Sequence, residues 1–241
     1  MSRFIKSLAV ASIFTSASFA SAAAFTEDFE GTTGAPASWV LVNNSVAPLT
    51  RPAWFPSSGF LTAPVPISNT GVNSIASNFG RTSSTAATGG TISAWLISPE
   101  ANWSNGDTVS FFTRSLGSFA DRMQVRLSST AAAAAVDVGA TDATVGDFTN
   151  LLVDINPNLV ATGVGSYPTA FTQFTLVVSG LTGSDVPGRL AFRYFVFDGG
   201  NNGNNSNAIL LDTLNVTAIP EPTTLAVLAG AGALVLRRRR A

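Results

Sequence analysis

The chain has 241 residues, of which 46% are hydrophobic and only 11% are charged, so it can build a sizeable core and is no disordered polyelectrolyte. It contains no cysteine and no histidine. Their absence excludes thiolate nucleophiles, imidazole bases, disulfides and the usual zinc and copper ligands. The composition therefore predicts a globular protein that relies on its hydrophobic core rather than on cross-links.

Residues 1–24 have the three zones of a secretory signal peptide. Arg3 and Lys6 give a positive start, residues 8–19 are apolar, and small residues follow, with A-x-A at 20–22 and again at 22–24. This order predicts export and cleavage after Ala22 or Ala24. The alternative is a buried N-terminal helix.

The body, residues 25–218, has the pattern of short strands joined by turns. Runs rich in Val, Ile, Phe and Thr alternate with clusters of Gly, Asn, Ser and Pro. No long amphipathic helix interrupts them. The clearest predicted strands are residues 94–97, 108–114, 122–128, 171–178, 189–197 and 209–216. We therefore predict an all-β fold, a jelly-roll type β-sandwich, in which the first and last strands can pair.

Alternation within these strands predicts which side chains face the core. In residues 122–127, Met123, Val125 and Leu127 would point inward and the residues between them outward. In residues 171–178 the parity stays open. Either Phe171, Gln173, Thr175 and Val177 point inward, or Phe174 and Leu176 do.

The charge distribution argues against nucleic acid as a partner. The body contains no lysine, seven arginines and thirteen acidic residues, a net charge of −6. Nucleic-acid binding calls for a basic face, which this body lacks.

The C-terminal tail, residues 219–241, combines three features. Pro220, Glu221 and Pro222 precede the uncharged residues 223–236, which predict a short hydrophobic helix, and four arginines follow: Arg237, Arg238, Arg239 and Arg240. The apolar stretch is short of the ~20 residues that span a bilayer, and the arginines favour the cytoplasmic side. The alternative is a plain membrane anchor.

This tail closely resembles the PEP-CTERM sorting signal of Gram-negative bacteria. The resemblance implies interaction with the export machinery, transient anchoring in the inner membrane and cleavage near Pro220-Glu221-Pro222 by an exosortase. It further implies delivery to the cell surface or the extracellular matrix.

The body resembles the choice-of-anchor J domain family, a relative of the cleaved-adhesin and MAM-type jelly rolls. The matching segments include EDFEG at residues 27–31, NSIASNF at 73–79, AWLISPE at 94–100, VSFFTR at 109–114, DRMQVRLS at 121–128, GRLAFRYFV at 188–196 and ILLDTLNV at 209–216. The family commonly carries alternative C-terminal anchors, so the two resemblances support each other.

Acidic residues of the first and last strands suggest a metal site. If those strands are neighbours, their carboxylates can meet, and such oxygen ligands suit calcium. By resemblance to MAM-type and adhesin-type jelly rolls, a structural calcium would use Glu30, then Asp212, and more weakly Asp28. The alternatives are solvated carboxylates or an ion pair with Arg193.

Two further features suggest ligand binding. Trp54 lies among Pro52, Pro56 and Ser57, a loop-like setting in which its ring could stack on a sugar or instead pack at the rim of the core. Residues 198–207 read DGGNNGNNSN, which predicts either a polar binding loop or a plain turn between strands.

These observations favour an exported, non-catalytic protein, an adhesion or carbohydrate-binding module with exopolysaccharide or a surface glycan as partner. One alternative is a glycan-active hydrolase that uses carboxylates, because thirteen acidic residues remain. The other is a structural matrix protein without a ligand.

We expect that removing residues 223–241 sends the protein directly into the medium, because the membrane-retention signal is lost. Fractionation of the native host with an antibody against the body measures this distribution. A truncated protein that stays with the membrane fraction would contradict the interpretation of the tail.

Overall fold

The computed structural model describes residues 24–31, 34–46, 48–61, 65–82, 89–128 and 136–219. The predicted signal peptide, apart from Ala24, lies outside these residues, as does the predicted sorting tail, apart from Ile219. Among the described residues, no helix combines the length and apolar character needed to span a bilayer.

The described residues form thirteen strands and two 3-10 turns, Ser57–Gly59 and Phe79–Arg81. The strands are β1 Phe25–Glu27, β2 Val40–Asn43, β3 Phe55–Pro56, β4 Ile75–Asn78, β5 Gly90–Ile97, β6 Ala101–Trp103, β7 Thr108–Ser115, β8 Met123–Leu127, β9 Asn150–Ile155, β10 Thr172–Val177, β11 Val186–Gly188, β12 Leu190–Gly199 and β13 Ala208–Thr217. The predicted all-β fold is confirmed, and each of the six clearest predicted strands coincides with an observed strand.

Two antiparallel sheets form the sandwich. Sheet I has the strand order β10-β7-β13-β4-β3, and β1 also pairs with β13. Sheet II has the order β2-β5-β12-β8-β9, while β6 and β11 form a small ladder of their own. Glu27 of β1 lies opposite Leu214 of β13, so the predicted pairing of the first and last strands is confirmed.

The core lies between the two sheets, and the strand alternation decides what enters it. Met123, Val125 and Leu127 of β8 are fully buried in it, as their spacing predicts. Phe174 and Leu176 of β10 pack against the same core. This resolves the parity that the sequence leaves open and turns Gln173, Thr175 and Val177 outward.

Strand β13 changes its inward-facing parity halfway along. Its core residues are Ile209 and Leu211 before the change and Leu214 and Val216 after it. A β-bulge between Asp212 and Asn215 makes the shift, and Thr213 within it adopts a left-handed conformation with φ of 53°. Such a bulge inserts one extra residue and thereby reverses the alternation.

The outer face of sheet II is covered by a second, smaller apolar cluster. Val138 and Phe148, from the segment after β8, pack on Trp95, Ile97 and Ala191 of β5 and β12. The rings of Trp95 and Phe148 have their centroids 5.4 Å apart. That segment therefore closes part of this face to solvent.

Candidate functional site

The carboxylates of Glu30 and Asp212 converge on one short segment, residues 69–72. Glu30 Oε2 accepts a hydrogen bond from the Val72 backbone N–H at 2.9 Å. Asp212 Oδ2 accepts from the backbone N–H groups of Asn69 at 2.6 Å and Thr70 at 3.1 Å. The pairing of β1 with β13 places Glu30, just after β1, beside Asp212 in β13. The structure thus brings together two of the three predicted metal ligands, and we call this pair the carboxylate seam.

The seam concentrates negative charge in a shielded place. Asp212 is fully buried. Burial raises the pKa of its carboxyl group, three backbone N–H groups oppose this shift, and the charge on Glu30 adds to it. Gly71 has φ of +63°, and a Cβ there would lie 1.9 Å from Glu30 Oε1. Glycine is therefore required for Glu30 to reach this segment.

Asp28, the third predicted ligand, does not join the seam. Its Oδ1 accepts from the backbone N–H of Glu30 at 3.4 Å. No three acidic side chains of the described chain are grouped to hold a metal ion. Calcium prefers carboxylate, carbonyl and hydroxyl oxygens, so the carboxylates of Glu30 and Asp212 fit it in chemical type, whereas the groups of residues 69–72 that contact them are backbone N–H donors. Calcium at this pair stays a prediction.

The alternative of an ion pair with Arg193 is wrong. Arg193 lies on the outer face of sheet II, where its guanidinium carbon is 3.7 Å from the centroid of Phe195 and 4.8 Å from that of Trp95. Its nitrogens donate to Ser93 Oγ and Gln124 Oε1, and to the Asp142 carbonyl. Burial is the main cause that lowers its pKa to about 9. Arg193 is therefore not a counter-ion of Glu30 or Asp212.

Trp54 is a core residue, which corrects the expectation that it is exposed for sugar stacking. It has no exposed surface, and its indole N–H donates to the Ala94 carbonyl at 3.2 Å. Trp95 and Trp103 are equally buried, and Trp39 is 8% exposed. The prolines around Trp54 correctly indicate irregular backbone, but that backbone packs into the sandwich.

Residues 198–207 comprise the end of β12 and the turn that leads to β13, and hydrogen bonds to residues 120 and 121 hold the turn in place. Ser206 N–H donates to the Ala120 carbonyl at 2.9 Å, and Asn207 N–H donates to Asp121 Oδ1 at 2.8 Å. Phe119, 47% exposed, and Asn201 help to line a cleft of about 190 Å³ beside it. The segment is therefore a pinned turn with a small cleft.

Asp121, which contacts this turn, is an ionisable residue that no local sequence pattern distinguishes from the other acidic residues. Its Oδ1 also accepts from the Tyr194 hydroxyl at 2.5 Å. Within the described residues its Oδ2 has no hydrogen-bond partner. Burial raises its pKa to about 7, against the opposing hydrogen bonds from Tyr194 and the backbone. Folding therefore favours the protonated form.

The outer face of sheet I presents an open strip of side chains, which we call the open face. It is formed by the outward residues of β10, β7 and the second half of β13. All of them are exposed or half-buried: Gln173, Thr175 and Val177; Thr108, Ser110, Phe112 and Arg114; Asn215 and Thr217. The strand register sets Gln173 opposite Phe112, and both Thr175 and Asn215 opposite Ser110.

The open face is a polar surface with an aromatic side chain at its centre and one cationic side chain, Arg114, at its end. Phe112 is its aromatic ring, surrounded by amide and hydroxyl groups. Asp212, opposite Phe112 in the ladder, has its carboxylate turned under residues 69–72. A cavity of about 340 Å³ at the β1–β13 edge, lined in part by Thr26 and Asn215, adjoins the strip. Such a combination can bind a flat polyhydroxylated ligand.

Comparison with solved structures identifies cleaved adhesin domains as structural neighbours. The K1 cleaved adhesin domain of Lys-gingipain from Porphyromonas gingivalis aligns over 82% of this chain and 99% of its own, with 20% identity and a TM-score of 0.54. The K2 domain of Lys-gingipain covers the same shares, with 22% identity and a TM-score of 0.51. No family model and no curated protein matches the chain. The shared feature is the jelly-roll fold.

Calcium is expected to raise the melting temperature of the protein, because an ion that binds only the folded state stabilises it by mass action. Differential scanning calorimetry with calcium and with a chelator measures the shift. Glu30→Gln should abolish it, whereas Asp28→Asn should preserve it, because Asp28 lies outside the seam. If calcium raised the melting temperatures of wild type and Glu30→Gln equally, the predicted metal site at Glu30 would be wrong.

We also expect Asp121 to make stability depend on pH. Its folded-state pKa of about 7 lies above the unfolded value of about 3.9. Its stabilising contribution is therefore complete below the unfolded value and is lost as pH rises through about 7, at no more than about 1.4 kcal/mol per pH unit. Urea unfolding from pH 4 to pH 8 measures this slope.

Asp121→Asn is the variant that isolates this effect, because the amide cannot ionise. As pH rises from 4 to 8, the unfolding free energy of the wild type should fall relative to that of the variant. A constant difference from pH 4 to pH 8 would show that Asp121 does not titrate in this range.

Proposed function

We propose that this protein is an exported, non-catalytic cell-surface or extracellular-matrix protein that binds carbohydrate through the open face of sheet I. The observation that carries the proposal is the placement of Phe112, an outward aromatic ring on an inner strand of the sheet. Gln173 on one neighbouring strand and Ser110 along its own strand supply hydrogen-bonding groups on the same face.

The physical argument follows from what a sugar presents. A pyranose has an apolar face of C–H groups and a rim of hydroxyls, so it needs flat apolar area together with donors and acceptors. Phe112 offers the first and the amides of Gln173 and Asn215 offer the second. Gln173 and Asn215 lie on strands that pair with β7. Strands hold the side chains of a binding site in place more precisely than loops do.

Two further observations support a role outside the cell. The chain ends resemble an export signal and a PEP-CTERM sorting tail, which favours export, transient inner-membrane anchoring and exosortase processing. The structural likeness is to adhesin domains, and adhesion at a surface agrees with that destination. Exopolysaccharide or a surface glycan is the corresponding partner.

One observation favours the alternative of a carboxylate-dependent glycan hydrolase. Glu27 and Glu100 both line a cleft of about 470 Å³ beside Trp39. Burial raises the pKa of Glu27, the direction expected of a general acid. The residues that line this cleft do not belong to β7 or β10, although Glu27 also lines the cavity that adjoins the open face. Glu100 lines the cleft and not that cavity, so Glu100→Gln tests hydrolysis separately from binding at the open face.

Replacing Phe112 by alanine is expected to weaken carbohydrate binding about 10-fold or more, because a central aromatic contact is lost. Affinity electrophoresis of the full-length protein through gels that contain host exopolysaccharide measures the retardation. Phe197→Ala is the matched control, since Phe197 is a 44% exposed phenylalanine on sheet II.

The proposal fails if both variants are retarded equally or if wild type is not retarded. Absence of retardation would favour the ligand-free structural protein. Release of reducing sugar that is lost in Glu27→Gln or Glu100→Gln would instead establish the hydrolase. Melting temperatures of the variants verify that each remains folded.

A further inference from the structure

Arg114 lies at one end of the open face, two residues from Phe112 on the same side of β7. Its Nε donates to the Ser115 carbonyl at 3.1 Å, and its Nη1 donates to the Pro66 carbonyl at 3.4 Å. The guanidinium carbon lies 5.9 Å from the ring centroid of Phe171. These contacts orient the guanidinium group at the margin of the strip.

No carboxylate of the described chain neutralises Arg114. The ion pair found within these residues joins Arg122 to Asp154 on sheet II. The pKa of Arg114 is lowered by burial alone, with no contribution from a neighbouring charge. Asp212, the nearest acid in the strand register, has its two oxygens occupied by backbone N–H groups.

The body carries a net charge of −6, but the ion pair of the described residues involves Arg122 and none of the other arginines. Arg114 is distinguished from those other arginines by its place on the open face. Thirteen acidic residues are available, yet an oriented arginine on the ligand-binding strip has none of them as its partner. Planar guanidinium groups bind carboxylates through two parallel hydrogen bonds, and this geometry gives specificity as well as affinity. The guanidinium group at this end of the open face is therefore complementary in charge to an anionic ligand.

We propose that the open face binds an acidic polysaccharide and that Arg114 recognises the carboxylate of a uronic acid unit. The inference rests on the proposed carbohydrate-binding function and specifies the substrate class of the same site. From Arg114 to Thr108 the strip runs for about 20 Å at the ~3.4 Å rise per residue of a strand. This length accommodates several consecutive sugar units, with the uronate at the Arg114 end and Phe112 beneath the unit next to it.

The test compares acidic polymers with neutral versions of the same polymers. The probes are polygalacturonate and alginate, each also in carboxyl-reduced form, in affinity electrophoresis with the full-length protein. We expect wild type to prefer at least one acidic polymer, and higher salt to weaken that binding. Arg114→Gln should weaken it about 10-fold or more, since a hydrogen bond to a charged group is lost.

Two variants control for charge and for geometry. Arg51→Gln makes the same change in net charge at an exposed arginine outside the strip, and its binding should equal wild type. Arg114→Lys keeps the positive charge but lacks the planar guanidinium group that donates two parallel hydrogen bonds. Its affinity for the acidic polymer should lie between those of wild type and Arg114→Gln. Melting temperatures exclude unfolding as the cause of any loss.

The outcomes separate this inference from the proposed function. Binding that depends on Phe112 but is equal for acidic and reduced polymers, and unchanged in Arg114→Gln, overturns the uronate inference and leaves carbohydrate binding intact. If Arg114→Gln and Arg51→Gln lost equal affinity for the acidic polymers, net charge would explain the effect, and the uronate inference would also be overturned. Absence of binding to every polymer, host exopolysaccharide included, contradicts both proposals.

Discussion

The bulge in β13 is the feature on which the rest of the arrangement depends. β13 is the hub of sheet I and pairs with β1, β4 and β7. Without the extra residue at the bulge, its alternation would turn either Leu211 or Leu214 out of the core. The left-handed conformation of Thr213 has an energetic cost, which the buried leucines on both sides offset.

The same bulge divides the outer surface of β13 into two regions of different character. Before it, Asp212 faces outward but is roofed by residues 69–72, whose N–H groups satisfy its carboxylate. After it, Asn215 is exposed and faces solvent beside Ser110. The carboxylate seam and the open face are therefore neighbours on one sheet. The carboxylate of Asp212 accepts hydrogen bonds from backbone N–H groups in the seam, and Arg114 is the half-buried charged residue of the open face.

The fold could be predicted from the sequence because strand formation depends on local patterns. The alternation in β8 was sufficient to assign its faces, but β10 reads TQFTLV, whose apolar residues do not distinguish one parity from the other. Trp54 shows the limit of local reasoning, since prolines identify a loop but not whether tertiary contacts bury it. In VSFFTR, likewise, only the paired strands decide that Phe111 enters the core and Phe112 faces outward. The sequence could suggest that carboxylates of the first and last strands meet, because that follows from strand pairing, while the choice of Glu30 and Asp212 came from the resemblance to MAM-type and adhesin-type jelly rolls.

The two outer faces of the sandwich differ in a way that bears on where a ligand can bind. On sheet II, Val138 and Phe148 cover Trp95, and Arg193 fills the adjoining space by stacking between Trp95 and Phe195. On that face the aromatic rings and the guanidinium group contact each other, so they are not free to contact a ligand. On sheet I, Phe112 and Arg114 are half-buried on one strand. Arg114 contacts the Pro66 carbonyl and the Phe171 ring, and among the described residues its guanidinium group is not stacked on Phe112. An aromatic ring and an arginine that stack on each other stabilise a fold, whereas a ring and an arginine that remain partly exposed and unstacked on each other can contact a ligand.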